Sequence, residues 1–244
     1  VGVAVGVAGD RRDPQPLDQT GEEVVRSLGD GGTDLLDLVR IAAHARQPRH
    51  VRIATFNLLH GRSLGHGGVE VADLRAAARE IDADVLALQE VDNGQARSGA
   101  VDQTAEVAAA LGAEHFRFEA TVGDTYGVGL VSRWPVTWWS VRRFARAPVE
   151  LPLLVPGRGL TRIPDEPRAG IAAVLDTPAG PLTVVATHLS FAPGWNVAQL
   201  RALAQWATTF PGPRLLIGDF NLPGPVVRAA TRRWTQLARI PTYP

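Results

Sequence analysis

The sequence predicts an α/β fold in which sheets are covered on both faces by other layers. Three observations carry this. The strand-like runs are apolar at nearly every position, as in VRIATFNLL (51–59) and ADVLALQEV (83–91), where a sheet open to water on one face would alternate. Between such runs lie segments with apolar residues at helical spacing, such as VEVADLRAAAREI (69–81), in which Val71, Leu74, Ala78 and Ile81 share a face. The chain has 244 residues, 45% of them hydrophobic and 20% charged, enough to bury one large core without requiring a second domain.

Taken in order, residues 1–50 are rich in Gly, Asp and Arg, with one helical stretch from Glu22 to Ala45 broken at GDGG (29–32). They read as an N-terminal extension, partly helical or mobile, outside a domain that occupies 51–244. In that domain the strand 51–59 is followed by a Gly/His/Ser loop, the helix 69–81 and the strand 83–91. A short helix at 102–112 closes on Gly112, and YGVGLVSRWPV (126–136) is a strand stopped by Pro135. AGIAAVLDTPAGPLTVVATHLS (169–190) makes two strands around a Pro/Gly turn, and WNVAQLRALAQWATTF (195–210) an amphipathic helix. RLLIGDFNLP (214–223) is the last strand, and no internal repeat is present.

Composition narrows the function classes. Without cysteine there is neither a disulfide framework nor a thiolate metal site. Every basic residue is Arg, and the formal charge is zero, which argues against a protein whose main partner is DNA. Arginines do cluster in 141–168 (Arg142, Arg143, Arg146, Arg158, Arg162, Arg168) and in 226–240 (Arg228, Arg232, Arg233, Arg239), and each run taken singly reads as a solvated face. No apolar run reaches the roughly 20 residues of a membrane span. VGVAVGVAGD at the start is too short for one and lacks the basic segment of a secretory signal. The compartment is not fixed by these features; of the choices, the cytoplasm is the one they favour.

The polar residues fall at strand exits. Asn57 ends the first strand, Glu90 the second, His188 the second strand of the hairpin, and Asp219 with Asn221 the last. In layered α/β folds such ends are where rigid elements hold a site that water can reach. The i, i+2 spacing of Asp219 and Asn221 would send both side chains out on one face of an extended segment. Singly, each residue has a plain structural role: Asn57 a turn former, Glu90 an arginine partner, His188 a core histidine, Asp219 and Asn221 an Asx turn into Pro223. The four coincidences together point to a site.

The residues resemble the endonuclease/exonuclease/phosphatase superfamily, with its DNase I-like fold. ATFNLLHG, LALQEVD, YGVGLVSR, DEPRAGIAAV, VVATHLS, NVAQLRAL and LLIGDFNLP stand in that family's order and rough spacing from Val51 to Pro244. The resemblance implies a four-layer α/β sandwich, two mixed sheets packed face to face with helices outside, and a metal-dependent phosphoester hydrolase, more specifically a phosphodiesterase. It implies that Asn57 and Glu90 form a Mg²⁺ site, with Mn²⁺ as a substitute and Glu90 the direct ligand. Asp219 is similar to the residue that orients or deprotonates the attacking water, Asn221 to one that holds it or the phosphate, and His188 to a donor for a nonbridging phosphoryl oxygen. Tyr126 and Arg168 sit in motifs whose counterparts approach the phosphate. Two departures stand out. Gly129 replaces an Asn often found in the YG motif, and the chain stops at IPTYP, before the strand that carries the family's closing Asp-His pair. The expectation is a domain truncated at its C-terminus, with one neighbour missing beside the 214–223 strand.

Other classes fit less well. A calcineurin-like phosphoesterase needs Asp-x-His and Gly-Asn-His motifs, absent here, and a zinc hydrolase built on His60, His66 and His188 lacks a His-Glu-x-x-His helix. His60 and His66 read as loop residues, His60 close enough to Asn57 to line the site. An inactive binding module on the same fold is the rival from outside enzymes. For the substrate, neutral charge and the lack of Lys favour a small or lipid-derived phosphoester. Nuclease action on DNA or RNA is kept as the alternative, with Trp138 and Trp139 as candidate base-stacking groups against a reading that places them half in the core.

Overall fold

The computed structural model describes residues 3–8, 25–26, 38–42, 50–62, 69–155 and 159–237. Two mixed sheets form the body. In one, β2 (Val25–Arg26), β3 (Leu38–Ala42), β4 (His50–Asn57), β5 (Val85–Asp92), β7 (Tyr126–Ser132) and β6 (His115–Val122) lie side by side in that order. In the other the order is β1 (Val3–Ala8), β13 (Arg214–Asp219), β12 (Gly180–His188), β11 (Arg168–Thr177) and β8 (Val136–Phe144). A separate hairpin joins β9 (Glu150–Val155) to β10 (Gly159–Pro164). Helices α1 (Val71–Ile81), α2 (Gln103–Leu111), α3 (Trp195–Ala207) and α4 (Gly224–Ala230) complete the described elements.

The apolar runs alternate after all, but between two buried faces. Along β5, Val85 and Ala87 point into the space between the sheets, where they meet Ile171 and Ala173 of β11, Val184 and Ala186 of β12, and Leu215 and Ile217 of β13. The intervening Leu86 and Leu88 turn outward to Leu74 and Ile81 of α1 and Val107 and Leu111 of α2. In the second sheet Ala172, Val185 and Leu216 face out to Leu200 and Leu203 of α3 and to Val227 of α4. A strand buried on both sides needs apolar residues at every position, which is what the sequence shows. The architecture is therefore a four-layer sandwich of the DNase I-like type.

Each sheet contains one parallel pair near its middle. β4 runs parallel to β5 with Asn57 level with Gln89, and β12 runs parallel to β13 with His188 level with Asp219. Gly218 makes the second pairing possible. Its φ is +137°, and a Cβ there would stand 1.9 Å from the Thr187 carbonyl oxygen.

Three expectations differ from the structure. β13 was expected to lack a neighbour, yet β1 pairs with it antiparallel, Val3 opposite Gly218 and Val5 opposite Leu216. The alternating valines of that opening segment give it strand propensity, and an open strand edge offers it unpaired donors and acceptors. β3 likewise pairs with β4, Val39 opposite Ile53. The helix expected between Glu22 and Ala45 is not found at the residues described there, since Val25–Arg26 and Leu38–Ala42 are strands; the rest of that helix lies outside the described residues. Trp138, at 62% exposure, stands on the edge strand β8, while Trp139 packs against the inter-sheet core.

Because Gly218 is held by both its backbone angle and the Thr187 carbonyl, Gly218→Ala should lose about 3 kcal/mol or more of stability in urea unfolding. A loss under about 1 kcal/mol would show that the two strands can part without cost.

Candidate functional site

On the first sheet the site begins where β4 and β5 end. The pairing of β5 with β7 slips between Leu88 and Val91, and Glu90 inside that slip has φ +53°. A bulge of this kind re-aims one side chain. It takes Glu90 out of the inward–outward alternation and turns its carboxylate toward Asn57, whose Nδ2 donates to Glu90 Oε1 at 2.9 Å. Asn57 Oδ1 accepts from the Leu59 amide at 3.0 Å, which fixes which end of the side-chain amide faces the acid. Behind this pair, Thr55 donates to buried Gln89 at 2.9 Å.

On the second sheet His188 and Asp219 leave adjacent strands, with Nε2 3.8 Å from Oδ2. Arg168, buried at the start of β11, places NH1 3.2 Å from His188 Nδ1 and NH2 3.5 Å from Glu166. A charged arginine can only donate, which places the lone pair on Nδ1 and the ring proton on Nε2, on the side of Asp219; the Asn221 amide nitrogen near Nε2 then donates to the Leu189 carbonyl and makes no hydrogen bond to the ring. Asn221 reaches the same place by a route other than the extended one expected. The strand ends at Asp219, Asn221 adopts φ +50°, and its amide donates back to Asp219 Oδ1 at 2.9 Å, an Asx turn. The turn sends Asn221 Nδ2 to the Leu189 carbonyl at 2.9 Å and brings it within 3.3 Å of His188 Nε2.

Electrostatics join the halves. Burial pushes the Asp219 carboxyl above its ordinary value, and the charge of Glu90 adds to that; the Asn221 amide and a side-chain hydrogen bond from Asn57 pull the other way. Asn57 thus stands between two acids, one from each sheet. Burial first, and then the Arg168 charge, holds His188 well below the ordinary histidine value, so the ring is neutral at pH 7. Burial also drives the Tyr126 phenol upward, which keeps it protonated.

All seven expected residues, Asn57, Glu90, Tyr126, Arg168, His188, Asp219 and Asn221, belong to this one neighbourhood. The structure adds others. His60 puts Nε2 3.8 Å from Glu90 Oε2 and its ring 5.3 Å from that of Tyr126. Buried Asp92 takes two hydrogen bonds from Arg97, at 2.7 and 2.8 Å, and Arg97 lies over the Tyr126 ring. His66 and Arg158 lie outside the described residues. Arg142 and Arg143 serve other contacts, over Phe144 and on Glu119.

Among the described residues no group of three or more His, Asp or Glu forms a cage for a metal ion. The donor set nevertheless fits a hard divalent cation that keeps most of its waters, for which one or two carboxylates suffice. Glu90 supplies a partly exposed carboxylate with Oε2 turned away from Asn57, and Asp219 is raised in part by Glu90, a strain that a cation between them would relieve.

A profile of the Endonuclease/Exonuclease/phosphatase family matches residues 54–240. The chain belongs to that family. Solved structures to which it is similar include an endonuclease/exonuclease/phosphatase from Beutenbergia cavernae, at 25% identity over 70% of this chain and 47% of that one, TM-score 0.49. Another, from Bacteroides vulgatus, shares 15% identity over 70% of this chain and 66% of its own, TM-score 0.50. A sphingomyelinase C from Streptomyces griseocarneus shares 17% identity over 73% and 68%, TM-score 0.48. The chain spans about half the length of the Beutenbergia protein. No curated protein matches it.

For this endonuclease/exonuclease/phosphatase family member the buried neutral His188 has a stability signature. Its folded-state pKa lies below the ordinary 6.5, so below that pH the unfolded chain binds a proton that the folded one refuses. Stability is then lost as pH falls, by up to about 1.4 kcal/mol per pH unit. The difference in unfolding free energy between wild type and His188→Gln should shift steadily against wild type from pH 7 to 5; a difference constant with pH would mean that His188 titrates normally.

Proposed function

We propose that this protein is a Mg²⁺-dependent phosphoester hydrolase, in particular a phosphodiesterase, in which water attacks phosphorus in line with the leaving group. The observation that supports it most is the meeting of two carboxylates of unequal surroundings, Glu90 and Asp219, with the Asn57 amide between them and a proton-bearing histidine nitrogen beside them. Glu90 and Asn57 would hold the Mg²⁺, with Mn²⁺ as a substitute. When bound, the ion polarises the phosphoryl group and offsets the charge that grows on its oxygens.

This chain's own residues do the rest. Asp219, desolvated and oriented by the Asn221 turn, accepts a proton from the attacking water and fixes its line of approach. His188 donates Nε2–H to a nonbridging oxygen, and Arg168 keeps the ring in that tautomer. Tyr126, held protonated, is a second neutral donor at the rim. All of these residues fall within 51–244, the stretch assigned to the catalytic unit.

A small or lipid-derived phosphoester is the substrate class proposed. Nucleic-acid binding draws its affinity from cations along the phosphate backbone. The two arginines at this site are already engaged with protein groups, Arg97 with Asp92 and Arg168 with His188 and Glu166.

Mg²⁺-dependent cleavage of bis(p-nitrophenyl) phosphate tests the reading. Glu90→Gln and Asp219→Asn should each lower turnover by at least about 10²–10³-fold with the melting temperature of wild type retained. Retained turnover in either well-folded variant removes that residue from the mechanism. Ionised Asp219 is the active form, so the acid limb of kcat/KM should fall at a pH above the ordinary 3.8 of a carboxyl.

A further inference from the structure

The two halves of the site carry the same device twice. On the second sheet Arg168 NH1 meets His188 Nδ1 at 3.2 Å, and His188 Nε2 faces Asp219 Oδ2 at 3.8 Å. On the first sheet Arg97 NH2 meets His60 Nδ1 at 3.2 Å, and His60 Nε2 faces Glu90 Oε2 at 3.8 Å. We propose that His60 is a positioning residue for Glu90, locked by Arg97 as an Nε2–H donor, and that this lock bars imidazole from the cation and makes the centre select Mg²⁺ over Zn²⁺. The inference rests on the hydrolase reading above and deepens it.

The geometry for the lock is built from several independent contacts. Arg97 NH2 has two hydrogens; one goes to Asp92 Oδ1 at 2.7 Å, and the other is left for His60 Nδ1. A proton on Nδ1 would point at the Arg97 guanidinium, which can only donate, whereas a proton on Nε2 points toward the Glu90 carboxylate. Buried Asp92 binds Arg97 through both oxygens, so Arg97 cannot swing off without stranding a buried charge.

The backbone under His60 is held as firmly. His60 has φ +62°, a conformation an L-residue does not keep without support. Buried Gln103 supplies that support by accepting from the Asp92 amide at 2.8 Å and donating to the His60 carbonyl at 2.7 Å. Gly61 follows because a Cβ there would lie 2.5 Å from Gln103 Nε2. One side chain therefore ties the loop to β5 just beyond Glu90.

Selectivity follows from which atoms carry lone pairs. A neutral histidine binds a metal through its unprotonated nitrogen. In both His60 and His188 that nitrogen is turned to an arginine, so the face between Glu90 and Asp219 offers a cation oxygen alone. Oxygen donors suit Mg²⁺, whereas an imidazole would favour Zn²⁺.

Two measurements decide the matter. In ¹⁵N spectra of the histidine rings of the metal-free protein, the signals that vanish in His60→Asn should be those of an Nε2–H tautomer; an Nδ1–H or doubly protonated ring overturns the proposal. Asn is chosen because it tolerates the left-handed backbone yet is too short to reach Glu90. In titration calorimetry without substrate, His60→Asn should bind Mg²⁺ about 10-fold more weakly than wild type. Arg97→Leu combined with Asp92→Ala, which removes the donor and its buried counter-charge together, should raise Zn²⁺ affinity relative to Mg²⁺ by about 10-fold, and adding His60→Asn should cancel the rise. Unchanged Mg²⁺ affinity in His60→Asn with an unchanged Zn²⁺/Mg²⁺ ratio in the Arg97 variant sinks the inference. Should wild type bind neither ion, the metal-dependent reading falls, while the ring spectrum still judges the tautomer.

Discussion

Everything at this site depends on parallel pairing at the middle of each sheet. Parallel neighbours finish at the same end, so β4 and β5 deliver Asn57 and Glu90 side by side, and β12 and β13 deliver His188 and Asp219 side by side. Antiparallel pairing would have sent one member of each couple to the far end. The inter-sheet core then sets the two couples against each other: Ile53 and Val85 from one sheet pack with Val184 and Ile217 from the other, a few residues below the polar ends. Packing that excludes water in the middle thereby fixes distances among groups at the rim, and each close approach needs a local concession. Gly218 surrenders its side chain to the Thr187 carbonyl, and Glu90 and Asn221 adopt left-handed backbones.

The unequal burial of the two acids gives the site its chemical direction. Asp219 is nearly closed off from water and its proton is held more tightly than usual, while Glu90 keeps contact with solvent. A desolvated carboxylate suits proton transfer, and a solvated one suits a cation that retains waters. Asn57 connects the two without adding charge. Neutral histidines on either side add donors, again without adding charge.

Much of this was legible in the sequence. Runs such as LALQEV and LLIGD announce doubly buried strands, and the polar residue at each exit announces the rim. What escaped has physical causes. The bulge at Glu90 leaves no trace in hydrophobic periodicity, so the residues just beyond it, Asp92 and Arg97, could not be aimed at His60, and His60 read as a loop residue. The Asx turn at Asn221 competes with the extended reading on equal terms, since both use an acid and an amide two apart. β6 (HFRFEATV) does alternate and could have been found from that signal; the charges of Arg117 and Glu119 within it hid it, and its burial runs against the pattern, with Glu119 buried and Phe116 exposed. β1 and β3 were missed because short apolar runs among Gly and Asp carry no information about which distant strand edge they will pair with.

The most direct test of the account is where a divalent ion sits. Crystals soaked in Mn²⁺ and measured at its absorption edge should show one anomalous peak within coordinating distance of a Glu90 carboxylate oxygen, on the side facing Asp219, with no histidine nitrogen among its ligands. A peak on a histidine nitrogen, or Mn²⁺ bound elsewhere while the space between Glu90 and Asp219 holds only water, would contradict it.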